Sequence, residues 1–320
     1  MDTPGSLNQA SQSTSAAPIP LHEKLRELKS IFLMRLSDLS RPASVEGVFA
    51  DIAEYEAVLQ QYSGRGLKGA SALEIGFGAR PLRLFALAAG GVDVIGSDLD
   101  VPLIHCSRSE IAAMLSRNGI ERAVKSVLRF ALFDLKERRE LDKSLHKRGM
   151  QLKIEPNRLI VADAAELEIP ARSLDFIYSE DVFEHIPADT LRGLVRKMAG
   201  WLKPSGVALI RPNVFTGIAG GHLAEWFPKI VSDHNRRRRS EPWEHLRKRR
   251  FQPNTYLNEL SRASYRELFA GHFEILEERV RDPELGRKYL SPEVERDLGR
   301  WPAEELFSNQ TLFILRPIAG

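Results

Sequence analysis

The sequence predicts an α/β protein: a doubly wound, mostly parallel sheet with helices on both faces. Three observations predict it. Short apolar runs of strand length alternate with stretches of helical period. The first run leads into a glycine turn, "LEIGFGARP". The second, "VDVIGSDLD", carries Asp98 to the point where parallel pairing sets it beside that turn.

Each element follows in order. Residues 1–20 are rich in Ser, Ala, Pro and Gln, bury too little apolar surface to offset ordering, and read as a disordered tail. They lack the basic start and apolar stretch of a secretory signal. Residues 21–66 hold two helices. The first, over 21–40, sets Leu21, Leu25, Leu28, Phe32, Leu36 and Leu39 at helical spacing, a stripe suited to the core or to a homodimer surface. The second covers 45–62. A core over 67–216 begins with a strand at 71–75, a helix at 81–89 and a strand at 92–96 that ends at Asp98.

A helical insertion, 102–151, follows. Asn118-Gly119 divides its two helices, and the second carries Ile120, Val124, Val127, Ala131 and Leu135 on one face. Strands at 158–162 and 174–179, a helix at 190–202, the turn "KPSG" and a strand at 207–211 complete the core. Residues 217–262 are irregular, basic and aromatic. A helix at 265–270 and two strands, 273–280 and "SNQTLFILRP", close the sheet within 263–320. The last two strands are joined with little helix, which suits an antiparallel edge.

Composition bounds the function. Hydrophobic residues make up 43% and charged residues 28%, enough for a large core under a soluble surface. No apolar run approaches the ~20 residues of a transmembrane segment. The single cysteine, Cys106, cannot form an internal disulfide; it reads as a packed or half-exposed thiol and suits a cytoplasmic protein. No zinc-ligand spacing, G-x-S-x-G or P-loop is present, so no metal is expected. The net charge is +3, yet residues 217–262 hold ten Lys and Arg against five Asp and Glu. The excess is local.

The glycine turn selects a ligand. Gly76 and Gly78 permit a sharp turn and close approach of a ligand to the backbone. Asp98 is placed to accept both hydroxyls of a ribose. A dinucleotide fingerprint needs a small residue three positions after Gly78, where this chain has Pro81. Glu74, two residues before Gly76, would repel a pyrophosphate and attract a sulfonium or an α-amino group. S-adenosylmethionine carries both cations and an adenosine, so it is expected in place of NAD. Asp163, past the third strand, is placed for the adenine amino group. Leu99, Ala164 and Ser179 complete the expected cradle at the carboxyl ends of the strands.

"LEIGFGARP", "VIGSDLD", "VADAAELEIP" and "LDFIYSEDVFEHI", in this order and spacing, resemble the class I S-adenosylmethionine-dependent methyltransferases, of the type 11-like kind. The resemblance covers roughly residues 67–213. It implies a Rossmann-like, seven-stranded sheet with the last strand antiparallel. It also implies that Glu74, Gly76 and Gly78 border the methionine part, Asp98 the ribose and Asp163 the adenine. "PWEHLRKRRFQPNTYLNEL" is similar to methyltransferases of cell-surface polysaccharide biosynthesis.

Methyl transfer from a sulfonium needs alignment above all, and an oxygen acceptor can need a base. His222, after Gly220-Gly221 in the loop beyond the fifth strand, is the expected base, with Asp181 the acidic alternative and His234 and His245 next. Glu184 and His185 read as structural residues at the start of a helix. The leading acceptor is a small polar molecule or glycan hydroxyl. An RNA methyltransferase and a non-catalytic cofactor-binding scaffold are the alternatives. The basic clusters 236–239 and 247–250, with Trp243 between them, would suit an anionic acceptor such as a sugar phosphate. A nucleic-acid partner is disfavoured, because the rest of the chain is slightly acidic.

Overall fold

The computed structural model describes residues 43–231, 238–251, 253 and 255–318. The expected tail 1–20, the helix 21–40 and His234 lie outside the described residues. Helix α1 (Ala43–Ser63) comes first. Strand β1 (Ser71–Ile75), α2 (Leu82–Ala89) and β2 (Asp93–Asp98) form the first βαβ unit. Pro81, whose missing N–H is no loss at a helix start, precedes α2. Strand β2 runs through Asp98 instead of stopping at residue 96, so parallel pairing sets Ile75 beside Ser97.

The insertion is one kinked rod. Helix α3 (Arg108–Arg129) starts at a capping box between Ser107 and Glu110 and breaks direction at Gly119, where φ is 80° and ψ 168°. A π-helical turn over Phe130–Asp134 joins it to α4 (Leu135–His146). Two faces result. Met114, Ala123 and Phe130 pack with Val101 and Leu103, while Leu115, Ile120, Val124, Leu128, Leu132 and Leu135 remain exposed. The apolar face expected of the second helix thus points partly to solvent.

Next come β3 (Leu159–Val161), β4 (Leu174–Glu180), α5 (Ala188–Trp201) and β5 (Leu202–Arg211). Strand β5 begins earlier than residue 207. A register shift between Leu174 and Phe176 absorbs the "KPSG" stretch. Two single turns, α6 (Pro228–Val231) and α7 (Glu244–Arg247), precede α8 (Arg262–Ala270) and β6 (Phe273–Arg281). Short helices α9 (Pro292–Asp297) and α10 (Ala303–Leu306) lead to β7 (Gln310–Pro317).

The seven strands lie in the order β3-β2-β1-β4-β5-β7-β6. Pairings from β3 to β5 are parallel, and β7 is antiparallel to both β5 and β6. The sheet is therefore mostly parallel with its last strand reversed. One face packs on α1, α2 and α4 through residues such as Tyr55, Phe85, Leu141 and Phe176. The other packs on α5 and α8 through Leu194, Met198, Tyr265 and Phe269. Beyond β5 a separate apolar cluster joins Phe215, Trp226, Trp243 and Leu246 to Val294, Leu298 and Phe307. The expected basic segment is thus one half of a lobe whose other half precedes β7. No described helix is long and apolar enough to cross a membrane.

Candidate active site

The turn after β1 forms one wall. Gly76 has φ 81°, and its N–H donates to the Ser97 carbonyl at 2.7 Å, fastening the turn to β2. A Cβ there would collide with the Val182 side chain. The space a side chain would need at Gly76 is filled by Val182. Gly78 differs. Its φ is 65° and, among the described residues, a Cβ would meet nothing within 4 Å, so its backbone lies open to them. Its N–H donates to Asp98 Oδ2 at 2.7 Å, and the Asp100 N–H donates to Oδ1 at 2.8 Å. Burial raises the Asp98 pKa, and these two N–H donors oppose the rise. Leu99 beside it is 66% exposed, an apolar side chain held at the rim.

Other expected cradle residues have local duties. Asp163 accepts from the Ala165 N–H at 2.8 Å and caps the short 3-10 turn over Ala164–Glu166. The Ala164 methyl is buried in the core. Ser179 donates its hydroxyl to the Ile75 carbonyl at 2.8 Å, tying β4 to β1. That hydroxyl is not free for a ligand.

Glu74 is also turned inward. It is 2% exposed, accepts from the Tyr178 hydroxyl at 3.1 Å and lies 3.5 Å from Arg83 Nε. Burial pushes its pKa up to about 7 against the pull of Arg83. It belongs to a network the sequence did not disclose. Arg83 meets Glu180 at 2.6 Å and Asp51 at 3.2 Å; Arg211 meets Asp51 at 3.2 Å, Glu54 at 3.0 Å and also Glu180. Tyr55 donates to Glu180 as well. Burial works against ionisation of Glu180, yet the two guanidiniums outweigh it and lower its pKa. Four carboxylates thus surround two guanidiniums at the carboxyl ends of β1, β4 and β5. The signal was a charged residue inside an apolar run, as in "PLRLFAL" and "VALIRPN".

A second polar cluster lies on the far side of Val182. Asp181 has φ 57°, and its Oδ1 accepts from Asn213 Nδ2 at 2.9 Å and from Gln310. The same Asn213 amide donates to Glu184 Oε1 at 2.6 Å. Glu184 is 3% exposed, and among the described residues its buried Oε2 has no hydrogen-bond partner. Burial, then the neighbouring Asp181, pushes its pKa up to about 8. His222 Nε2 stands 3.8 Å and His185 Nε2 3.9 Å from Glu184 Oε1, with the two rings edge-on at 5.0 Å. Burial lowers the His222 pKa to about 4, with His185 and His245 adding to the effect. The structure therefore brings the expected pair His222 and Asp181 into one polar cluster, a pit only in the sense of this grouping, and adds Glu184 and His185. His245 is outside it: buried in the lobe, its Nε2 faces the Phe215 carbonyl at 2.7 Å.

A model of a methyltransferase domain family matches residues 48–272, a span that includes both the turn and the pit. The chain belongs to this methyltransferase family. Solved structures with low similarity include a putative S-adenosylmethionine dependent methyltransferase from Listeria monocytogenes, 14% identical over 86% of this chain and 99% of that one, TM-score 0.45. Haemonchus contortus phosphoethanolamine N-methyltransferase 2 with S-adenosyl-L-methionine is 20% identical over 81% and 51%, TM-score 0.39. Burkholderia thailandensis 1,6-didemethyltoxoflavin-N1-methyltransferase is 15% identical over 97% and 99%, TM-score 0.40. No curated protein matches the sequence.

The methyltransferase uses S-adenosylmethionine, and its turn fits that molecule. The backbone at Gly78 is open, a carboxylate stands beside it, and surplus negative charge lies beneath. Among the described residues, the basic side chains at 247–250 are paired with acids. Arg247 is 2% exposed and pairs with Glu241 at 2.9 Å, Glu293 at 3.2 Å and Asp297. Lys248 pairs with Glu241, Arg249 with Glu259, and Arg250 with Glu241 and Glu244. Arg238 lies over the Trp226 and Tyr289 rings, and Trp243 is fully buried. Residues 236 and 237 lie outside the described residues. Glu241, Glu244 and Glu259 belong to the same segment, while Glu293 and Asp297 come from α9, beyond the reach of a local charge count.

Proposed function

We propose that this methyltransferase places the methyl group on a hydroxyl oxygen of a small polar or glycan-type acceptor. The observation that carries the reading is the pit of Asp181, Glu184, His185 and His222 beside Val182, which itself packs on the cofactor turn. A hydroxyl is a weak nucleophile until its proton is drawn away, and carboxylates and imidazoles serve that end. A neutral amine already carries a nucleophilic lone pair and needs no strong base.

In this reading the Gly78 backbone and Leu99 border the cofactor, Asp98 accepts from the ribose hydroxyls, and the segment at Asp163 and Ala164 lies along the adenine. Glu74 contributes through the carboxylate surplus that favours the cationic methionine end, and Ser179 positions β4. S-adenosylmethionine would supply an activated methyl group to the acceptor oxygen, leaving S-adenosylhomocysteine, and Asp181 or His222 would take the acceptor proton. The paired arginines give no reason to require an anionic acceptor.

The test is release of S-adenosylhomocysteine from purified protein offered sugars and polyols, primary amines, or RNA. The expected result is turnover with hydroxyl acceptors, reduced roughly 10²–10⁴-fold in Asp181→Asn. Turnover confined to amines or RNA overturns the reading.

A further inference from the structure

We infer that Glu184, His185 and His222 hold a divalent first-row transition cation. One ligand atom from each of Glu184, His185 and His222 lies within 4.8 Å of the other two, and Glu184 Oε1 faces the Nε2 of both imidazoles. The two carboxylate–imidazole separations, 3.8 and 3.9 Å, are too long for hydrogen bonds. Ligands about 2.0–2.2 Å from a shared cation stand about 3.0–3.6 Å apart. The two carboxylate–imidazole separations need to close by a few tenths of an ångström, and the imidazole–imidazole separation, bounded by 4.8 Å, by up to about 1–2 Å.

The His185 ring is already oriented for ligation. His185 Nδ1 lies 2.9 Å from the Tyr256 carbonyl, to which only an N–H can donate, so a neutral ring directs its Nε2 lone pair inward. A ligating imidazole with its other nitrogen on a carbonyl is the arrangement that fixes tautomer and ring angle at metal centres. Glu184 is held equally firmly. Its carbonyl accepts from the Asn258 N–H at 2.9 Å, and the Asn258 amide donates to the Phe183 and Ile186 carbonyls on either side. His222 is presented by a residue with φ 52°. Gly221 beneath it has no room for a Cβ against the His245 ring. Backbone in so sparsely populated a region persists where packing enforces it, commonly at functional sites.

Charge gives the second reason. Among the described residues, Glu184 Oε2 is buried without a partner, Asp181 adds a like charge, and no Lys or Arg forms an ion pair with either. A divalent cation offsets both carboxylates. Two imidazoles and one carboxylate suit Mn²⁺, Fe²⁺, Co²⁺ or Zn²⁺ better than Mg²⁺ or Ca²⁺. Three protein ligands leave coordination positions for water or an acceptor oxygen. Only that last role rests on the hydroxyl reading above; occupation of the site does not. With the His222 lone pair engaged, Asp181 is the group left to take the acceptor proton.

The experiment is titration of chelator-treated full-length protein with Co²⁺ and Mn²⁺, followed by Co²⁺ absorption and Mn²⁺ spin resonance, without acceptor. The expected result is one cation per chain. Glu184→Gln, His185→Ala and His222→Ala should each weaken binding by roughly 10-fold or more. S-adenosylhomocysteine binding, measured in parallel, should be retained in each variant and so report an intact fold. No stoichiometric binding by the wild type, or unchanged binding in all three folded variants, overturns the site. A cation-binding protein that methylates only amines would retain the site and remove the hydroxyl reading.

Discussion

Val182 fills the space that a side chain on Gly76 would need, with its Cγ1 2.8 Å from where that Cβ would lie. The cofactor turn and the polar pit are therefore in direct contact, and residues on either side of Val182 face different chemistry. Gly76→Ala forces both a strained φ and a clash with a branched, immobile side chain. It should lower stability by about 2–4 kcal/mol. Gly78→Ala meets open space and should cost only about 1–2 kcal/mol from φ. Its methyl group enters the cradle, so it should still weaken S-adenosylhomocysteine binding. Thermal melts beside ligand titrations separate the two; equal stability loss would contradict the contact.

The pKa of Glu74 makes stability depend on pH. Its folded value, about 7, lies above the ordinary 4.5 because burial disfavours the charge. The folded protein thus binds more protons here than the unfolded chain between those values. The stabilisation is full below pH 4.5 and is lost as pH rises through 7. Relative to Glu74→Gln, the wild type should lose up to about 3 kcal/mol across that window. Denaturant titrations of both proteins at several pH values give the slope, and parallel curves would refute it.

Arg247 tests the basic segment. Its side chain is nearly inaccessible while its partners Glu241, Glu293 and Asp297 are partly exposed, so the pairing is screened on one side. Arg247→Ala should destabilise the lobe by about 1–3 kcal/mol and leave the acceptor KM unchanged. A raised KM with unaltered stability would return the anion role to this cluster.

Much of the fold was legible because its signals are local. The apolar runs, the glycine turn and Pro81 define β1, α2 and β2 within one short span, and the carboxyl-end rule places Asp98 beside Gly78. What escaped depends on contacts across the chain. Arg83 and Arg211 look like surface residues until Asp51, Glu54 and Glu180 close around them. Glu184 reads as a helix-start acid, and only the loop after β5 brings His222 to it. Gly76 was read correctly as a tight turn, but sequence offers no sign that Val182 is the neighbour requiring it. The exposed stripe from Ile120 to Leu135 shows the reverse limit, since periodicity identifies a face without saying what covers it.

The position of β7 has a consequence for how the chain folds during synthesis. Among the described residues, strand β5, which carries Arg211, finds its outer neighbour in β7, and β6 pairs with β7 alone. Both therefore expose unsatisfied edges until residues 310–317 have left the ribosome. The N-terminal parallel strands can collapse earlier on α1, α2 and α4. Every nascent chain consequently passes through a stage with a partly built sheet and two open edges, the interval in which a chaperone would matter most.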